Sequence, residues 1–207
     1  MRSPRGPAMV DRRRTQRLVY VALFLGLAAL ITFQRLLPIG GYGAGISVDP
    51  AQDPASELLG LSLRDLPPPD VLLCLAIAWV VRRPDLLPAP VIAGYFFFED
   101  MLLMRPPGLW ALIVLLGVEY LRNRTDRLRG YGFAIEYLNV ALLMLVMFAA
   151  NRAVIAIVMV PQEPLGLSLV QLLGTILAYP GIVLVSHFLF GLRKPATGEV
   201  DSLGQKL

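Results

Sequence analysis

The chain has one cysteine and one histidine in 207 residues, and only 16% of its residues are charged. A lone thiol, Cys74, excludes an internal disulfide and a cysteine-based metal cluster. One histidine, His187, with one cysteine does not make a usual zinc site. No Walker-type loop, dinucleotide fingerprint or metal-ligand spacing occurs, so no cofactor is expected. No serine nucleophile segment accompanies His187, whose expected setting is a hydrogen bond inside the bundle beside Ser186. Basic residues do not form a face interleaved with aromatics, which argues against nucleic acid as a partner.

What is present is apolar sequence. Hydrophobic residues make up 56% of the chain and mean hydropathy is +0.64. A soluble domain carries about 25% charged residues. Here the charges cluster between long apolar runs, the pattern of a polytopic membrane protein. The expected fold is all-α, with about six transmembrane helices in one bundle.

The expected spans are residues 18–38, 70–81, 86–104, 108–121, 133–160 and 165–192. Residues 1–17 hold six arginines and read as a disordered basic tail; residues 193–207 form a second polar tail. The loop 39–69 is long, with a short amphipathic turn possible near Asp53 or Ser56 and a stiff Pro-Pro-Pro-Asp end that opens the second span. That second span covers only about 18 Å of helix, so three solutions are open to it: to recruit flanking residues, to thin the bilayer locally, or to shelter within the bundle. Pro180-Gly181 marks a kink in the last span.

Orientation follows from counting. With the N-terminus in the cytoplasm and six alternating spans, 15 of the 19 basic residues lie inside. Only Arg35, Arg64, Arg105 and Arg152 lie outside, which satisfies the positive-inside rule at every inner loop. Both termini are then cytoplasmic, and the basic loops meet anionic headgroups of the lipid bilayer. Arg35 and Arg152 are expected to snorkel outward, with a helix–helix contact the sharper alternative for Arg152. Glu119 and Arg122 have the spacing of an interfacial i,i+3 pair.

The segment Gly94–Gly108, GYFFFEDMLLMRPPG, places two adjacent carboxylates in an apolar run. Charges at membrane depth are costly and are functional suspects. Adjacent helical residues point about 100° apart, so Glu99 and Asp100 are expected to face different ways, one toward the bundle and one toward the outer interface. Arg105 is near enough in sequence to neutralise one of them across the Arg-Pro-Pro-Gly turn. Two roles stand even for this motif of Gly94, Glu99, Asp100, Arg105 and Gly108: it binds a partner, or it holds the turn together. No second acid or nucleophile accompanies it, so no catalytic role is assigned and the chain is read as a non-enzyme.

Several of these residues carry a family likeness. Pro69-Asp70 opens an apolar segment, arginines follow, and Asp100 stands eight residues before Gly108, itself followed by Leu-Trp-Ala-Leu. Over residues 69–121 this resembles the bacterial rod-shape-determining MreD family. The resemblance implies a scaffold or regulator of the cell-wall elongation complex in the inner membrane. It implies as partners a single-pass MreC-like protein, the glycosyltransferase RodA with its penicillin-binding transpeptidase, and, indirectly or through cytoplasmic loops, MreB. Self-association stays open. The family is similar in fold to the substrate-binding subunits of energy-coupling-factor vitamin transporters. That keeps a second function in view, a small-molecule-binding uptake subunit whose pocket would draw on Tyr95, Glu99, Asp100 and Trp110.

Overall fold

The shortest helix among the described residues lies at the centre of the bundle. The computed structural model describes residues 7–37, 67–129, 132–160, 162 and 164–190. These residues form six helices: α1 (Pro7–Leu36), α2 (Val71–Arg82), α3 (Ala89–Leu102), α4 (Leu109–Arg129), α5 (Phe133–Ile157) and α6 (Leu165–Phe190). Every residue of α2 from Leu72 to Arg82 is buried. A helix that is apolar all round needs neighbours all round, and α2 has them in α1, α4 and α6. Trp79 packs against Tyr20 and Phe24 of α1, with ring centroids 6.2 and 5.7 Å away. The remaining contacts, α1 on α3, α3 on α4, α4 on α5 and α5 on α6, wrap the outer helices around this core. On α4, a Cβ at Gly117 would lie 2.7 Å from Met147 Sδ, so glycine there lets α5 lie close.

Among the described residues three helices are long and apolar enough to cross a membrane: α1 over Arg17–Leu36, α5 over its whole length, and α6 over Leu165–Phe188. The chain therefore has the character of a multi-span membrane protein. The short α2 is sheltered by protein, one of the three solutions expected for it.

Helix ends differ from the expected spans where helix-forming residues continue past the apolar run. Helix α1 begins at Pro7, so residues 7–17, read as disordered, are helical. Proline suits the first helical turn, and arginine propagates a helix well. Helix α4 continues through the segment read as a basic loop, as far as Arg129. Nothing between Gly117 and Gly130 is a breaker. The third span is shorter than expected: Pro88 takes the N-cap and Pro90 the first turn, and the helix ends at Leu102. Apart from residues 67–69, the loop 39–69 lies outside the described residues. So do the tail 193–207 and the turn expected near Asp53 and Ser56.

Helices α3 and α5 end alike. Met104 N–H bonds Met101 O and Arg105 N–H bonds Asp100 O, at 3.3 and 3.0 Å. Met159 N–H bonds Ala156 O and Val160 N–H bonds Ile155 O, both at 3.2 Å. This is the Schellman pairing, whose turning residue adopts left-handed φ and is usually glycine. Here it is methionine, at φ 52° and 57°. Each costs about 1–2 kcal/mol of backbone strain, and neither side chain is packed, being 95% and 90% exposed.

Candidate functional site

Each end of α2 carries a buried ionic cluster. Asp70 is the N-cap: its Oδ1 accepts from Leu73 N–H at 3.0 Å. Its own N–H donates to Thr175 Oγ1 of α6 at 2.9 Å. The same Oδ1 takes a second bond from Arg35 Nη2 at 3.0 Å, and Arg35 Nη1 reaches Glu99 Oε1, also at 3.0 Å. One guanidinium thus ties together the end of α1, the start of α2 and the last turn of α3. The formal charges of the triad sum to −1, set at the positive end of the α2 dipole. Arg35 was expected to snorkel outward; it turns inward, because two buried carboxylates at its own depth would otherwise lack a cation. Nearby, Thr32 Oγ1 and Tyr95 Oη are 2.8 Å apart and join α1 to α3 a second time.

At the other end of α2, Arg82 Nη2 lies 3.7 Å from Glu136 Oε1, in the first turn of α5. Tyr179 Oη of α6 donates to the same oxygen at 3.3 Å. Acid at the start and base at the end of α2 both complement its dipole. Sequence reading missed this cluster. The signal was Glu136 inside an apolar helix, with Arg82 ending another.

Glu99 and Asp100 do not divide between bundle and interface as expected. Both are 0% exposed. The 100° between them separates two buried neighbours: α1 on Glu99's side and α4 on Asp100's side. Asp100 Oδ2 accepts from Gly108 N–H and Ala111 N–H, each at 3.1 Å. Gly108 O accepts the first helical bond of α4, from Leu112 N–H, so Gly108 is the cap position. It has no side chain to offer, and its φ of 84° suits glycine. Asp100, reaching across from the preceding helix, supplies the capping carboxylate in its place. Arg105 makes no ion pair with either acid among the described residues, though its charge acts on both at longer range; the cation bonded to Glu99 is Arg35. Gly94 faces outward, and a Cβ there would meet nothing within 4 Å. The five motif residues are therefore not gathered into one site. Asp100 and Gly108 build the hairpin, Glu99 belongs to the Arg35 cluster, Arg105 lies in the turn and Gly94 is on the free face of α3.

Other expectations resolve simply. Glu119 and Arg122 pair at 2.6 Å as the spacing predicts. Arg152 Nη1 donates to Ser168 Oγ at 2.8 Å, the helix–helix alternative. Ser186 Oγ is buried with no hydrogen-bond partner, so it does not bond His187, which packs edge-on to Phe188.

Because α2 is much shorter than the helices around it, the bundle is not filled along its whole length. Asp70 lies level with Thr175, ten residues or about 15 Å into α6. Beyond it opens a cleft of about 700 Å³ between α4, α5 and α6. Of the four residues proposed for a small-molecule pocket, only Trp110 lines it. Tyr95, Glu99 and Asp100 are engaged elsewhere. Comparison of the chain with family models, curated proteins and solved structures finds no match.

Proposed function

We propose that the chain is an MreD-like, non-enzymatic subunit of the bacterial cell-wall elongation complex. In this reading it crosses the inner membrane six times with both termini in the cytoplasm, in a bundle like that of the energy-coupling-factor substrate-binding subunits. The observation that carries it is the use of the resembling residues. Asp100 and Gly108, eight apart, make one capped hairpin between α3 and α4, and Pro69-Asp70 opens the helix that the bundle is built on. The acids of the Gly94–Gly108 segment are engaged within the bundle, which leaves the free helix faces for partners. The orientation is supported by Arg82, Arg83, Arg122 and Arg124 at one end of the bundle, against Arg35, Arg105 and Arg152 at the other. The test is depletion in a rod-shaped host with co-purification in detergent. Cells are expected to round up, and an MreC-like single-pass protein to accompany the chain. Unchanged width and shape on depletion would sink the proposal.

The docking face on this reading is the free side of α3. Gly94, Phe97, Phe98 and Met101 are all exposed and fall at i, i+3, i+4 and i+7. A glycine in such a stripe lets a second transmembrane helix approach closely. Gly94→Leu adds bulk where the chain itself has open space. We expect normal accumulation, with recovery of the MreC-like partner reduced about tenfold, the equivalent of about 1.4 kcal/mol. Ala149→Leu on the exposed side of α5 is the control and should change nothing. Equal partner recovery from both variants would exclude this face.

A further inference from the structure

The cleft beyond Asp70 plays no part in that reading, and its chemistry is its own. We propose that it binds an anionic phospholipid, the phosphate lying against Arg105, Arg152 and Trp110 Nε1 and an acyl chain running down the apolar floor. The cleft exists because α2 stops short, so it is part of the architecture and not a surface irregularity. Its volume of about 700 Å³ falls within the range of small-molecule sites, ~300–1,000 Å³.

Its polar lining is rich in donors. Arg105 comes from the α3–α4 turn and forms no ion pair among the described residues. Arg152 enters from α5, hydrogen-bonded to Ser168 and with its guanidinium carbon 5.9 Å from the Phe148 ring centroid. Trp110 Nε1 is buried and has no hydrogen-bond partner, a state that costs free energy unless something accepts from it. Among the described residues the one acid in the lining is Asp70, whose Oδ1 is committed to Arg35 and to Leu73 N–H. Two guanidiniums, an unmet indole N–H and a neutralised carboxylate select an anion.

The shape then separates a lipid from a soluble anion. The donors sit toward the helix ends, on the turn after α3, at the start of α4 and in the last turns of α5. Deeper in the bundle the lining is Leu73, Met144, Phe148 and Leu172. A free phosphate would leave that floor bare, whereas an acyl chain covers it. With the charged head at the helix ends and the chain toward the bundle centre, the ligand has the orientation of a lipid in the adjoining leaflet.

The test uses the full chain in a mild detergent, supplied with equimolar phosphatidylglycerol and phosphatidylethanolamine and examined by native mass spectrometry. Phosphatidylglycerol should be retained about tenfold over phosphatidylethanolamine, the scale of one charge-assisted contact. The double variant Arg105→Gln, Arg152→Gln should erase that preference, and Trp110→Phe should reduce it severalfold while keeping an aromatic ring in place. Arg17→Gln, on the exposed surface of α1, should leave it unchanged. Equal retention of the two lipids by the native chain, or a preference that survives the double variant, would overturn the proposal. If the double variant does not accumulate, competition on the native chain decides. Displacement by dodecyl phosphate but not by inorganic phosphate supports the lipid site, and equal displacement by both assigns the cleft to a soluble anion and overturns it. Neither arm depends on the cell-shape reading, so the two proposals fail separately.

Discussion

Arg35→Met should remove most of the protein from the membrane fraction. Methionine keeps an unbranched apolar stem and removes the guanidinium, so the main effect is electrostatic. The change leaves Asp70 and Glu99 facing each other in the bundle with no cation between them. Breaking a buried pair by deleting one partner costs about 3–5 kcal/mol, and here one deletion orphans two carboxylates. Against a total stability of about 5–15 kcal/mol, this is a large fraction. Arg35→Lys should fall between, because an ammonium is a point charge without the fork that reaches both acids. Removing the orphaned charge should restore much of the loss: Arg35→Met with Glu99→Gln is expected to accumulate better than Arg35→Met alone. Immunoblots of the membrane fraction and melting curves in detergent measure all three. If Arg35→Met melts with the native protein, the cluster is not holding α1, α2 and α3 together.

The second large effect is expected at Asp100. Asp100→Ala strips the acceptor from two backbone N–H groups, those of Gly108 and Ala111. An unsatisfied buried donor costs about 1–3 kcal/mol, so a loss of about 2–4 kcal/mol is expected. Asp100→Asn keeps an oxygen in the same place and should cost only about 1–2 kcal/mol, without the charge that complements the start of α4. The readout that separates the two roles of this residue is partner recovery normalised to protein recovered. If Asp100 holds the hairpin, the normalised value stays constant while the amount of protein falls. Full accumulation with lost assembly would instead make Asp100 a contact residue. Gly108→Ala belongs to the same hairpin. Its Cβ would stand 3.6 Å from the Phe97 ring, an ordinary contact, so any cost comes from the φ of 84°.

Local features were legible in the residues. Apolar runs separated by proline, glycine and arginine placed the six described helices, and the prolines before Asp70 marked where the second of them starts. The i,i+3 pair of Glu119 and Arg122 needed nothing beyond helix geometry. Helix ends were less legible where arginine-rich segments are both soluble and helix-forming, as at residues 7–17 and 122–129. Contacts between distant segments were not legible. Arg35 and Glu99 are 64 residues apart and Arg82 and Glu136 54 apart, and no local pattern says which buried charges meet. The motif at Glu99-Asp100 shows the same limit. Its spacing to Gly108 was visible, but that Asp100 caps the next helix while Glu99 turns back to the first depends on how α1 and α4 flank α3.

The position of α2 also bears on how the chain is made. It is synthesised after α1, but α4 and α6, which close around it, come later. From Arg82 to the end of α6 at Phe190 is about 110 residues, on the order of ten seconds of translation at ~10 residues per second. During that interval a twelve-residue helix with Asp70 and Arg82 at its ends has at first only α1 of its neighbours, then α4, and α6 last. The Arg35 link is available as soon as α1 and α2 are both made, and the Glu136 and Tyr179 contacts come only with the last third of the chain. A truncation within α6 therefore takes away more than one peripheral helix: it leaves the centre of the bundle waiting for a wall that never arrives.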